Sequence, residues 1–264
     1  MDLKLASRVA IVTGGSMGIG YAIAKTLLLE GMQVVIVARR ESLLQDAAKQ
    51  LQTETGKSVL AVSADTTKQS EVDSMVNAVV KLHGRVDVLV NCAANPSGRV
   101  RNELQHFDDA ALLQDLDTKV VGYTRCAKAV VSSMMQNKWG RIINIGGLTC
   151  RASHVLSGMR NAALCHLTKT LSDQLGPSGI TVNVIHPGVI QTPHIIELFE
   201  QEAAKRGVTP AVIEAEFAKA TPIRRVIAAE EVANAVAFLA SPLAEAITGE
   251  SIAVDGGITR GIYL

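Results

Sequence analysis

The sequence predicts an α/β fold: a doubly wound parallel sheet of seven strands with helices on both faces. Two observations carry that prediction. Short β-branched runs alternate with longer amphipathic segments from one end of the chain to the other, which is the pattern of a parallel sheet covered on both sides. The first such run, Val9 to Val12, leads directly into a glycine-rich turn that opens a helical pattern. With 264 residues, 48 % of them apolar, the chain can bury a large core, and no Pro/Ser linker, low-complexity stretch or repeat divides it. Residues 1–264 are therefore read as one domain.

Taken in order, the strand candidates are Val9 to Val12, Val34 to Ala38, Val59 to Ser63 and Val86 to Val90, followed by Arg141 to Ile145, Thr181 to Ile185 and Ser251 to Val254. Helical patterns fill the intervals. Ala229-Glu230-Glu231 begins the last of them with acids in the first turn, where they favour the helix dipole. From His194 to about Arg225 the apolar positions Ile195, Ile196, Leu198, Phe199, Ile213 and Phe217 predict amphipathic helices over a pocket. That lid covers about residues 194–225 and identifies no substrate.

Charge and composition exclude several classes. A net charge of +1 offers no field for nucleic acid or an anionic membrane. No apolar run is long enough to span a bilayer, and Val9 to Val12 is too short for a signal-peptide core, so the expectation is a cytoplasmic protein. Cys92, Cys126, Cys150 and Cys165 show no CxxC spacing and lie in largely apolar sequence. They are read as buried reduced thiols, with neither a metal site nor a disulfide expected.

The glycine turn reads Thr13-Gly14-Gly15-Ser16-Met17-Gly18-Ile19-Gly20. Glycines suit backbone angles that a β-carbon blocks, and let a phosphate approach the backbone at the positive end of a helix. This TGxxxGIG form resembles the short-chain dehydrogenase/reductase family, and later landmarks fall in the family's order to the C-terminus. The resemblance implies a Rossmann-type fold and a nicotinamide dinucleotide held by Thr13, Gly14, Ser16, Met17, Gly18, Ile19 and Gly20. It also implies that Asp65 and Thr66 meet the adenine, that Asn91 and Ala93 pass the nicotinamide-side ribose, and that Ile190 and Thr192, with Pro187 and Gly188 before them, hold the carboxamide. Ala94 stands where the family has glycine. After the second strand come Arg39 and Arg40 in place of an acid that would bind the ribose hydroxyls. A guanidinium there matches a 2′-phosphate, so NADP(H) is preferred over NAD(H). The closing Val254-Asp255-Gly256-Gly257 resembles relatives whose tails pack across a tetramer axis, which implies a homotetramer.

The family's catalytic Asn, Ser, Tyr and Lys should follow, but by this alignment their positions hold Lys119, Gly147, Ser157 and Asn161. Only three tyrosines exist, Tyr21, Tyr123 and Tyr263, and none lies between the fifth strand and the Ala162-Ala163-Leu164 helix. A literal YxxxK at Tyr21–Lys25 sits on the phosphate side of the cofactor and is a decoy. Among nearby residues (Lys119, Cys150, Arg151, His154, Arg160), His154 is the best substitute acid because imidazole titrates near neutral pH. Cys150 has no partner base identifiable in sequence. The expectation is an NADP(H)-binding oxidoreductase with atypical or very low carbonyl/alcohol redox activity. Alternatives are a non-redox lyase or isomerase reusing the pocket with His154 or Lys119, and a nucleotide-binding pseudoenzyme or partner subunit.

Overall fold

The computed structural model describes residues 1–94, 104–151, 156 and 158–261. His154, Ser157 and Tyr263 lie outside the described residues. Strands β1 (Val9–Thr13), β2 (Gln33–Ala38), β3 (Leu60–Ser63), β4 (Val88–Asn91), β5 (Gly140–Ile145), β6 (Ile180–Pro187) and β9 (Ser251–Val254) form one sheet in the order β3-β2-β1-β4-β5-β6-β9. Every pairing is parallel. The seven expected strands are thus present, with Val59 and Val86 falling just outside β3 and β4. A separate parallel pair, β7 (Ile190–Gln191) with β8 (Ile227–Ala228), was not legible, because two-residue strands carry no periodicity.

Two apolar layers flank the sheet. On one face α1 (Gly18–Leu29), α2 (Glu41–Thr55) and α9 (Ala229–Ala240) bury Ile23, Leu27, Leu44, Leu51 and Val236 against alternate strand residues such as Val12, Ile36 and Val90. On the other, α3 (Gln69–His83) and α5 (Gly122–Gln136) bury Val72, Val79, Cys126 and Val130 against Ile11, Val35 and Leu89. Period-2 alternation of the strands, apolar on both faces, is what lets helices cover both. The remaining helices are α4 (Asp109–Leu116), α6 (Gly158–Leu175), α7 (Pro193–Arg206) and α8 (Pro210–Ala220). In the expected lid region, α7 and α8 pack on each other through Phe199, Ala203 and Ile213, with the Phe199 and Phe217 rings stacked at 5.2 Å.

Two features position the site. The strand order reverses between β1 and β4, and in open α/β sheets the crevice beyond the carboxyl ends at such a reversal takes ligands. Between α4 and α5 the helix widens into one π-turn, Asp117–Val121, which carries Lys119. Such single-turn insertions recur at functional sites.

Candidate active site and cofactor cleft

A cleft of about 790 Å³ opens over that strand reversal. It is lined by Gly14, Ser16, Met17, Gly18, Ile19 and Gly20 of the turn, by Arg39 and Arg40 after β2, and by Asp65 and Thr66 after β3. Ala93 and Ala94 after β4, Thr118, Arg160, Thr192, Pro193 and His194 also line it. The cradle cannot accept bulk: a β-carbon on Gly20 would lie 2.2 Å from the Gly14 carbonyl oxygen, and one on Gly14, whose φ is +71°, 2.9 Å from Ala93 Cα. Helix α1 begins after Met17 with no side-chain cap and no acid in its first turn. Its first backbone N–H groups therefore present an uncapped positive end to the cleft, which fits a phosphate-bearing cofactor.

Arg39 and Arg40 are both exposed at the rim. Asp65 accepts hydrogen bonds at Oδ1 from the backbone N–H and the hydroxyl of Thr67, at 3.0 and 2.8 Å, which fixes its carboxylate beside Thr66. The other expected cofactor residues sit deeper. Thr13 is buried and its Oγ1 accepts from the backbone N–H of Cys92 and Ala93 at 3.0 and 3.2 Å, tying the β1 and β4 turns together. Asn91 is buried, donating from Nδ2 to Asn144 Oδ1 at 3.0 Å. Ile190 and Pro187 belong to buried strand ends, and a β-carbon on Gly188 would lie 2.8 Å from Asp255 Cα. None of these five lines the cleft.

Behind the cleft, Lys119 is almost wholly buried, not a surface lysine, and its Nζ donates to the Gly146 carbonyl at 2.8 Å. Burial lowers its pKa to about 7; the Arg160 cation pushes the same way, against opposing contributions from Cys92, Asp115 and Cys150. Arg160 forms a buried ion pair with Asp115 of α4. Among the described residues, Arg160 Nε and Asp115 Oδ2 have no hydrogen-bond partner. At the end of β5, Gly147 meets Asn161 of α6: a β-carbon on Gly147 would lie 2.9 Å from Asn161 Nδ2, and that amide donates to Thr149 Oγ1 at 2.7 Å. Lys119 and Asn161 therefore meet the neighbouring residues Gly146 and Gly147 just after β5, and none of Lys119, Gly147 and Asn161 lines the cleft.

Neither described tyrosine, Tyr21 or Tyr123, supplies an acid there. Tyr123 is buried, donates to the Ile145 carbonyl at 3.2 Å, and burial raises its pKa well above the usual phenol value. On α1, Lys25 pairs with Glu54 of α2 at 2.7 Å, and burial together with Glu54 pushes Tyr21 up to about 12. A catalytic phenol needs the opposite shift.

The cysteines depart from the sequence reading. Among the described residues they form no disulfide, but Cys150 and Cys165 are only half-buried and both meet His186, a fully buried residue of β6. Sequence analysis assigned His186 no role, and Asp115 none at all. A polar ring inside an otherwise apolar strand needs polar partners, and that was the available signal for His186; nothing local marks Asp115.

These elements define a nucleotide-binding α/β reductase architecture. The chain belongs to the short-chain dehydrogenase/reductase family: the family model described as enoyl-(acyl carrier protein) reductase matches residues 14–259. It is 36 % identical over 251 residues to the short-chain reductase protein NovJ of Streptomyces niveus, covering 94 % of this chain and 93 % of that one. The NADPH-dependent reductase BacG of Bacillus subtilis is 34 % identical over 98 % of this chain and all of its own length. Among solved structures, L-sorbose reductase from Gluconobacter frateurii, complexed with NADPH and L-sorbose, superposes with a TM-score of 0.93 at 30 % identity, covering 99 % of this chain and 100 % of that one. Among the described residues no helix is long and apolar enough to cross a membrane.

Proposed function

We propose that this protein binds NADP(H) in the cleft over β1 and β4 and is an oxidoreductase whose carbonyl reduction is far weaker than the family's norm. The first half of the reading rests on the glycine cradle, the uncapped α1 end and the two rim arginines. NADPH dependence in named relatives supports it. When bound, the nicotinamide supplies the hydride; the protein must then protonate the alkoxide oxygen.

The observation that carries the second half is the Gly147–Asn161 contact. Gly147 offers no hydroxyl to a substrate oxygen, and Asn161 fills the space that a side chain there would need. Ser157 stands at the aligned tyrosine position and Asn161 at the aligned lysine position, so the phenol and the lysine that lowers its pKa are both replaced. Loss of general acid catalysis costs about 10²- to 10⁴-fold, or roughly 3 to 5 kcal/mol of barrier. The proton-handling group that remains is the Lys119 amine, which is poised near neutrality and hydrogen-bonded to Gly146.

The decisive experiment is the triple variant Gly147→Ser, Ser157→Tyr, Asn161→Lys, assayed with NADPH against a panel of ketones. A rise in turnover of about 10²-fold or more is expected; an unchanged rate with NADPH still bound sinks the reading. Gly147→Ser alone should stay inactive, because Asn161 Nδ2 occupies its path.

The same Lys119 amine supports a second reading, a lyase or isomerase that moves a substrate proton without consuming NADPH. Deuterium exchange into substrate with constant NADPH absorbance would favour it. If calorimetry of the nucleotide-stripped protein detects neither NADPH nor NADH binding, a partner-subunit role leads instead. A homotetramer is the proposed assembly, on the resemblance of the closing Val254–Gly257 segment, and sedimentation velocity tests it.

A further inference from the structure

Four separate elements converge on His186. Cys150 lies on the 3₁₀ turn Leu148–Arg151 after β5, Cys165 on α6, Ser251 at the start of β9, and His186 within β6. His186 Nε2 lies 3.4 Å from Cys165 Sγ, 3.7 Å from Cys150 Sγ and 2.9 Å from Ser251 Oγ. One donor atom from each of Cys150, Cys165 and His186 can be chosen so that all three lie within 4.8 Å of one another. We propose that Cys150, Cys165 and His186 form a binding site for a thiophilic divalent cation of the zinc class, with Ser251 Oγ or a water as the fourth donor.

The dimensions fit. With Zn–S near 2.3 Å and Zn–N near 2.0–2.1 Å, a tetrahedral site has S···N edges of about 3.6 Å and an S···S edge of about 3.8 Å. The two sulfur-to-Nε2 distances bracket that edge. The ring is also set by its other nitrogen: Nδ1 lies 3.0 Å from the Gly147 carbonyl. Nδ1 also lies 3.1 Å from the Gly147 backbone nitrogen and 3.5 Å from Cys150 Sγ, and an ion on Nε2 selects the tautomer in which Nδ1–H donates to the Gly147 carbonyl, the outer-shell arrangement that orients metal-bound histidine. Gly146 makes room for the ring, since a β-carbon there would lie 2.4 Å from His186 Nδ1.

Charge balances as well. Two thiolates and a neutral imidazole neutralise a divalent ion. The half-buried sulfurs leave the ion a path in, while the buried histidine anchors it. The donor set of two sulfurs and one nitrogen selects zinc-class ions over magnesium or calcium. A bound ion would pin the turn after β5, which leads to Ser157, onto α6 and β6.

The test uses the full-length reduced protein, stripped with chelator and titrated with Co²⁺ as a spectroscopic probe for Zn²⁺. Thiolate-to-cobalt charge-transfer absorption with tetrahedral visible bands is expected, displaced by Zn²⁺ and untouched by Mg²⁺. Cys150→Ser and Cys165→Ser should each weaken Co²⁺ binding by about tenfold or more and lose part of the charge-transfer band. Cys126→Ala, on α5, should keep both. Circular dichroism of each variant confirms that the fold is retained. A reduced wild-type protein with no charge-transfer absorption overturns the proposal, as does a band that survives both serine variants. So does a protein in which Cys150 and Cys165 cross-link under oxidised glutathione and which binds no Co²⁺ when reduced.

Discussion

The two ends of one cleft are built differently. At the β1–β2 end, recognition is done mainly by backbone: glycines too crowded for a side chain, an uncapped helix start, and two rim arginines. At the β5–α6 end the contacts are made by side chains: buried Lys119 on the Gly146 carbonyl and the Asn161 amide beside Gly147. Backbone recognition is tied to the fold itself, since the same glycines permit the β1–α1 turn. Side-chain chemistry can be exchanged while the sheet stays the same. The family's fold, matched from residue 14 to 259, therefore leaves the side chains of the β5–α6 corner free to vary.

The sharpest way to break the comparison is Gly20→Ala. Its β-carbon would lie 2.2 Å from the Gly14 carbonyl, a backbone atom that cannot step aside cheaply. A loss of about 3 kcal/mol of stability is expected, along with at least about a hundredfold weaker NADPH binding, or 2.7 kcal/mol. Thermal unfolding and calorimetry read the two effects. Unchanged binding would mean that the cradle does not hold the cofactor.

Next comes Lys119→Met, which addresses the other end. Lys119 titrates near 7 in the folded protein against 10.5 for an ordinary lysine. Between those values the unfolded chain binds more protons, so stability rises with pH, by up to about 1.4 kcal/mol per pH unit. The buried ammonium is therefore destabilising, fully so below about pH 7, and the penalty disappears toward the ordinary lysine value. Removing it should stabilise the protein at about pH 6 by roughly 3 to 4 kcal/mol, after about 1 kcal/mol for the lost Gly146 hydrogen bond. The gain should shrink as pH rises. Urea unfolding across that range decides the matter, and a destabilised variant at about pH 6 would show that Lys119 is held as a well-compensated cation.

Replacing Arg39 and Arg40 by Glu should weaken NADPH binding by about 10- to 100-fold, while changing NADH affinity by less than about threefold. Because both arginines are exposed, the NADPH affinity of the parent protein should also fall with added salt. Equal loss for both nucleotides would place the arginines away from the 2′-phosphate.

The glycine turn and the two arginines that line the cleft stand out in the sequence because their signals are local. A strand, three glycines at fixed spacing and two arginines some twenty residues later all report on one βαβ unit. The seven strands were legible for the same reason. At the other end, Gly147, Asn161 and Lys119 could be named by alignment, but not their environment: nothing in Asp117 to Gly122 announces a π-turn that buries the lysine. The Arg160–Asp115 pair joins residues 45 apart, and Cys150, Cys165 and His186 meet only because β5, α6 and β6 are neighbours. Cysteine spacing along the chain cannot report a cluster assembled by sheet order.

The smallest effect is expected for Tyr21→Phe, which tests whether a literal motif deceives. Tyr21 and Lys25 are one turn apart on α1, as a catalytic pair would be, yet Lys25 is committed to Glu54 and lies far from making a phenolate easier to form. Burial and the neighbouring carboxylate instead hold the Tyr21 proton in place, the reverse of what acid catalysis near neutral pH requires. Removing the hydroxyl should leave NADPH affinity and any measured turnover within about twofold and stability within about 0.5 kcal/mol. A drop of tenfold in turnover at unchanged stability would move the chemistry to α1 and undo the division between a recognising end and a reacting end.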